Sequence, residues 1–173
     1  MKSLQPYIIP LSIAASVAII AFFIFNKESG ILNRQSPLYE EYFEVYPEML
    51  STRGEIDLQK LESDAILFYK SEHYDRAALS YADLHQKTNN SVHLFYAGMS
   101  NLLSDNTDLA IEQLASIKEK EDIRNIPVNY YLGLSYLKKG NEQKAKTVFE
   151  NPDKAFQFYV EKSEEILEKL NNR

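Results

Sequence analysis

The sequence contains no cysteine and no tryptophan. Without cysteine there is no disulfide, no thiolate nucleophile and no cysteine-ligated zinc. The compartment stays open, because a chain without cysteine is at home on either side of a membrane. Histidine is scarce as well: His73, His85 and His93 are the three present. No H-x3-H or H-E-x2-H spacing joins them, so no metal site is expected. The five glycines form no phosphate-cradling loop, and no serine stands in a nucleophile-elbow pattern. Acidic neighbours such as Glu40-Glu41, Glu121-Asp122 and Glu164-Glu165 fit solvated helix faces or loops better than catalytic carboxylate pairs. The expectation is a protein that is not an enzyme, has no cofactor and takes no evident small-molecule substrate.

Clustered basic charge is also missing. Residues 1–27 hold Lys2, Lys27 and no acid, which leaves 17 of the 19 basic residues and all 25 acidic ones from Glu28 onward, a net of −8. Phosphate contacts need grouped Lys and Arg, so nucleic acid is not an expected partner.

In place of these features the chain begins with a long uncharged run. Tyr7 to Phe25 are 19 mostly apolar residues, which as a helix would extend roughly 28 Å, close to the hydrocarbon thickness of a bilayer. Pro10 lies in the first turn, where a missing N–H costs least. A cleaved signal peptide is the alternative, but the run exceeds a signal core and leads into Asn26-Lys27-Glu28 with no small-x-small cleavage site. Residues 1–26 therefore read as a transmembrane anchor that contacts the bilayer through residues 7–25. Lys2 on one side and Lys27 with Arg34 on the other nearly balance under the positive-inside rule. The short head and long polar body favour the body lying outside the cytoplasm.

Residues 27–56 read as a juxtamembrane linker carrying an aromatic-acidic helix over 37–46. Tyr39, Tyr42, Phe43 and Tyr46 fall at i, i+3, i+4 and i+7, one helical face, while Glu40, Glu41, Glu44 and Glu48 fill much of the rest. Ser36 is a candidate N-cap with Pro37 at the first position, and Pro47 should end the helix near Val45 or Tyr46. Three readings of this stripe stand. It seals the exposed end of the first repeat, it docks a membrane partner, or it lies in the groove of its own chain and closes it.

Small residues then recur at fixed spacing. Ala65 precedes Ala77 by twelve, with Tyr81 four later; Gly98 precedes Ala110 by twelve, with Leu114 four later; Gly133 precedes Ala145 by twelve, with Phe149 four later. The units are offset by 33 and 35 residues, a helix–turn–helix repeat period. Turns are expected at His73-Tyr74-Asp75, Ser104 to Thr107 and Gly140-Asn141. Small residues are needed where the two helices of a hairpin approach most closely, and three units are about the minimum for a stable stack. After Asn151-Pro152-Asp153, the residues Phe156, Tyr159, Val160, Ser163, Ile166, Leu167 and Leu170 mark one face of a closing helix over 153–173.

These units resemble tetratricopeptide repeats (TPRs), whose pattern reads W-x2-L-G-x2-Y, then A-x3-F, then P. The third has Leu132-Gly133-x2-Tyr136 and Ala145-x3-Phe149, with Asn129 where Trp is expected; the second keeps Gly98, Ala110 and Leu114 but has Asn101 for the Tyr. The resemblance covers about residues 57–152. It implies an all-α fold: a transmembrane helix, then a right-handed TPR α-solenoid of three helical hairpins with a C-terminal capping helix. The anchor and the L-Y-E-E-Y-F-E-x-Y-P stretch from Leu38 to Pro47 further resemble small membrane-anchored TPR proteins of Bacteroidetes-type bacteria. That likeness implies an envelope or membrane-associated interaction protein; with the orientation expected of the anchor, the expectation is a single-pass protein of the bacterial inner membrane with its repeats in the periplasm.

In TPR stacks the first helices of successive hairpins line a concave face. In this register that face offers Ile66, Tyr69, Phe95, Met99, Tyr130 and Leu134 as partner-binding groove residues, with ordinary core packing the alternative for Tyr69, Phe95, Met99 and Tyr130. Tyr39, Tyr42, Phe43 and Tyr46 form a second, juxtamembrane candidate surface. An apolar, aromatic and Met-lined groove suits an amphipathic helix or apolar peptide. The expected role is to bind a protein or peptide and assist assembly, secretion or quality control at the membrane. The alternatives are a structural subunit of a membrane complex and a cytosol-facing receptor or regulator.

Overall fold

A computed structural model describes residues 35–48, 56–118 and 126–172. Eight helices and no strand occur among them, so the described chain is all-α. They are α1 (Pro37–Tyr42), α2 (Ile56–Lys70), α3 (Tyr74–Thr88), α4 (Ser91–Leu103), α5 (Thr107–Lys118), α6 (Val128–Lys138), α7 (Glu142–Phe149) and α8 (Gln157–Asn171). From α2 to α8 each helix packs on the next, giving the hairpins α2/α3, α4/α5 and α6/α7 followed by α8. The short α1 departs from this order and packs on α6.

The repeat is visible in the backbone of the turns. His73 N–H donates to Phe68 O, Asn106 N–H to Asn101 O and Asn141 N–H to Tyr136 O, each at 2.8 Å. These bonds span six residues across a helix C-terminus, the Schellman closure, which needs a left-handed residue just before the donor. Glu72, Asp105 and Gly140 occupy that place with φ of 61°, 63° and 73°. The following helices start alike: Ala77, Ala110 and Ala145 N–H donate to His73, Asn106 and Asn141 O. The turn geometry therefore repeats with the 33- and 35-residue offsets of the small-residue spacing.

That spacing marks where helices meet. A Cβ placed on Gly133 would lie 2.5 Å from the Phe149 ring, and one on Gly98 would lie 3.0 Å from Leu114 Cγ. Ala65, Ala77, Ala110 and Ala145 are all fully buried. Gly98 and Gly133 therefore accommodate the side chain sixteen positions later, Leu114 and Phe149, and Ala65 stands at the same spacing from the buried Tyr81 of the same core. In α8, Ser163, Ile166 and Leu170 are buried, as expected for a closing helix.

Helix α1 is shorter than its aromatic spacing predicts. It closes at Tyr42, and Phe43 turns into extended backbone with ψ of 121°. Residues 43–48 continue without helix. No described helix is long and apolar enough to cross a membrane. The span expected at Tyr7 to Phe25, the linker before Gln35, the turn with Gly54 and the charged run beyond Lys118 lie outside the described residues.

Candidate functional site

The segment from Ser36 to Glu48 lies against the first helices of the three hairpins, α6, α4 and α2. Ser36 N–H donates to Leu137 O at 3.0 Å near the C-terminal end of α6. Tyr130, two turns earlier on α6, donates its hydroxyl to Tyr42 O at 2.8 Å. The segment thus runs antiparallel to α6, then turns across α4 toward α2. Along the way three more hydroxyls reach its main chain. Tyr131 donates to Glu44 O at 3.0 Å, Tyr69 to Tyr46 O at 2.9 Å and Tyr96 to Pro47 O at 2.9 Å.

This arrangement explains why α1 stops early. A helix over 37–46 would commit the carbonyl of Tyr42 to the N–H four residues on. Here tyrosine side chains from all three first helices take that role, and the extended backbone at 43–48 turns successive carbonyls toward them. Buried carbonyls must find donors, and phenols suit the task because the ring packs while the tip bonds.

The side chains add a ring cluster. Tyr46 is buried edge-on against Phe95 (centroids 5.1 Å apart) and Tyr131 (5.8 Å), and it leans on Tyr96 at 6.1 Å. Phe43 meets Tyr131 at 6.2 Å and stacks on Tyr39 at 4.8 Å. Cations surround the other end. Lys138 lies over Tyr39 at 5.4 Å, while Lys162 and Lys169 of α8 lie over Tyr42 at 5.4 and 4.9 Å. Lys169 also pairs with Glu41. Tyr159 of α8 packs on Tyr130 at 4.8 Å, so the closing helix also walls the groove.

Burial holds the hydroxyls of Tyr69, Tyr130 and Tyr131 well above their ordinary value of 10.0, with neighbouring tyrosines adding to the shift. They remain neutral donors at any physiological pH. Glu165, facing the same end, is held below the usual carboxylate range by the nearby Tyr42 hydroxyl first and the Lys162 ammonium second.

Of the groove residues expected from sequence, Tyr69, Phe95 and Tyr130 meet the segment directly. Met99 and Leu134 are fully buried in the shared core, and Ile66 is half-buried. Of the juxtamembrane set, Tyr39, Tyr42 and Tyr46 are buried and Phe43 is half-buried. The stripe does not seal the end of the first hairpin; it reaches from the third hairpin to the first. Two of the four donors, Tyr96 and Tyr131, were not among the expected groove residues. Each stands two residues before its repeat glycine, Gly98 or Gly133, a shared position that the repeat pattern reads as ordinary core.

Two other features lie away from the segment. His93 bonds Thr88 Oγ1 through Nδ1 at 2.9 Å and faces Glu62 Oε1 at 3.5 Å. Thr88 donates its own proton to Leu84 O, so the set ties α2, α3 and α4 together. Burial lowers the His93 pKa, against the raising effect of Glu62. A cleft of about 580 Å³ opens between α3 and α5, lined by Leu79, Leu109, Asp75 and Asp108 among others.

Comparison with protein-family models, with curated proteins and with solved structures finds no match for this chain.

Proposed function

We propose that the chain is a membrane-tethered TPR-type interaction protein whose concave groove binds a segment of another protein. In this reading residues 7–25 anchor it in a bacterial inner membrane. The right-handed stack of three hairpins, capped by α8, then stands in the periplasm. Its role is to assist assembly, secretion or quality control of a membrane complex. One observation carries the reading: tyrosine hydroxyls from three successive hairpins converge on the main chain of a single partly extended segment. A surface that satisfies backbone carbonyls through side-chain tips is equipped for peptide capture. Tethering raises effective concentration, so modest affinity is sufficient.

The test is a photo-crosslinking residue at Ile66, a half-buried position of α2 one turn before Tyr69, in cells that make the full chain. A discrete adduct with a second protein, retained when residues 7–25 are exchanged for an unrelated span, is the expected result. An adduct that vanishes with the anchor exchange would instead favour a structural subunit. That second reading has its own support, since Leu38, Tyr42 and Tyr46 share one core with the hairpins. Ser29→Cys labelling by an impermeant maleimide, with the outer membrane opened, reports the orientation in a chain that has no other cysteine.

A further inference from the structure

We infer that the groove is a receptor for an acidic, tyrosine-bearing peptide segment of a partner protein, and that residues 36–48 occupy it as an intramolecular competitor. The inference rests on the groove-binding reading above and adds the ligand class, its direction and its regulation.

The grip on the segment is non-local, and its buried residues Leu38, Tyr39, Tyr42 and Tyr46 join the core of the hairpins. Its hydrogen bonds to the hairpins and α8 join residues 23 to 128 positions apart, from Tyr69–Tyr46 to Lys169–Glu41. Four of them end on main-chain carbonyls. Main-chain bonds do not depend on side-chain identity, so any segment that takes this backbone course can make them. Identity is read at a few buried places, above all Leu38, Tyr39, Tyr42 and Tyr46.

Charge selects further. Glu41 of the segment pairs with Lys169 of α8, whereas Lys138 and Lys162, which also lie over its rings, pair with Asp105 and Glu165 outside it. Acid is therefore selected at the position of Glu41. The direction is set as well: the N-terminal end lies on α6, and the C-terminal end, Tyr46 to Glu48, lies against α2 and α4. A partner segment must run the same way, with aromatic residues spaced as Tyr39, Tyr42 and Tyr46. Tyrosine serves this exchange well, because a hydroxyl released by the departing segment is readily hydrated while its ring still lines the groove.

A covalently attached segment competes at an effective concentration in the millimolar range, so free peptide should bind the intact chain poorly. The experiment uses the full chain in detergent with a protease site inserted between Glu48 and Ile56, and a fluorescent synthetic peptide of residues 35–48 as probe. Before cleavage the probe should bind weakly. After cleavage, and dialysis against excess probe, one probe per chain should bind with an apparent affinity at least about 100-fold tighter, as expected when the tethered competitor is freed. A probe carrying Tyr42→Ala and Tyr46→Ala should not bind. Circular dichroism should show the helices intact throughout.

Three results would overturn the inference. The cleaved chain could lose its helices as the segment leaves, which would make the segment a fixed part of the core. It could retain its own segment and take no probe. It could pass the segment between two copies as a stable dimer that excludes the probe. In each case an adduct at Ile66 that survives anchor exchange would still stand, so failure of this inference is distinguishable from failure of the groove-binding reading.

Discussion

The hairpins and the segment that crosses them are held by opposite means. The hairpins close by subtraction: Gly98 and Gly133 leave room for Leu114 and Phe149, and the turns repeat one backbone closure. The segment is held by addition, with large rings wedged between helices and phenol tips reaching its carbonyls. The first mode fixes helix spacing through local sequence. The second depends on residues far apart in the chain and tests whether the groove and its occupant are one core or two surfaces.

The comparison breaks most sharply at Tyr46. Its ring contacts Phe95, Tyr96 and Tyr131, and its burial is nearly complete. Tyr46→Ala removes a buried ring from a site the helices cannot easily collapse to fill. Large aromatic truncations of this kind cost about 3–5 kcal/mol when the site is part of the core. Urea unfolding followed by circular dichroism should show a loss of that size if segment and hairpins unfold together. If the segment is a separable occupant, the hairpins should keep most of their stability and only the segment's amide protection should fall.

Gly133 probes the other mode. An added methyl would meet the Phe149 ring at 2.5 Å, and overpacking of this kind costs about 1–3 kcal/mol. Gly98→Ala should differ. Its methyl meets the Leu114 side chain at 3.0 Å, and alanine gains about 1 kcal/mol of helix propensity over glycine. Thermal melts of both variants should show a clear loss for Gly133→Ala and little change for Gly98→Ala. Equal losses would mean that Leu114 is as immobile as the Phe149 ring.

A smaller effect belongs to the hydroxyl bonds. Tyr131→Phe keeps the ring and leaves Glu44 O without its donor, a loss of about 1 kcal/mol. Alkaline titration examines the same groups together. Tyr69, Tyr130 and Tyr131 are raised above 10.0 in the fold, so their contribution is complete below pH 10 and falls away as pH rises further, when the unfolded chain ionises and the folded one does not. Stability should hold up to that point and then drop. The drop should be shallower in Tyr131→Phe, as read by tyrosine absorbance alongside circular dichroism.

Much of this was legible in the sequence, and the rest was hidden for physical reasons. The pairing of Gly133 with Phe149 follows from spacing alone, because a close helix approach restricts residue size. The aromatic positions 39, 42 and 46 correctly mark buried side chains, yet they do not report conformation. A helical face and a helix that opens into extended backbone can bury the same rings, and only the donors on distant helices decide between them. Those donors are the least readable part. Tyr96 and Tyr131 fit the repeat pattern as ordinary core residues, and nothing local shows that their hydroxyls face Pro47 and Glu44.

The turns contain the faintest signal and the mildest test. Gly140 announces its left-handed backbone, but Glu72 and Asp105 adopt the same region with no glycine to mark it. For a non-glycine residue that conformation is strained by roughly 1 kcal/mol. Glu72→Gly should relieve the strain, although glycine also gives the unfolded chain more freedom to lose. Relief should prevail, because Glu72 is exposed and the closing bond from His73 to Phe68 uses only backbone atoms. A gain of about 0.5 kcal/mol, read from the shift of the urea midpoint at unchanged slope, is the expected outcome. The same change at Asp105 should gain less, since Asp105 pairs with Lys138, the residue that lies over Tyr39. A larger gain at Asp105 than at Glu72 would show that this ion pair contributes nothing to holding the segment's helical end. The first turn would then be no longer a neutral reference for the second.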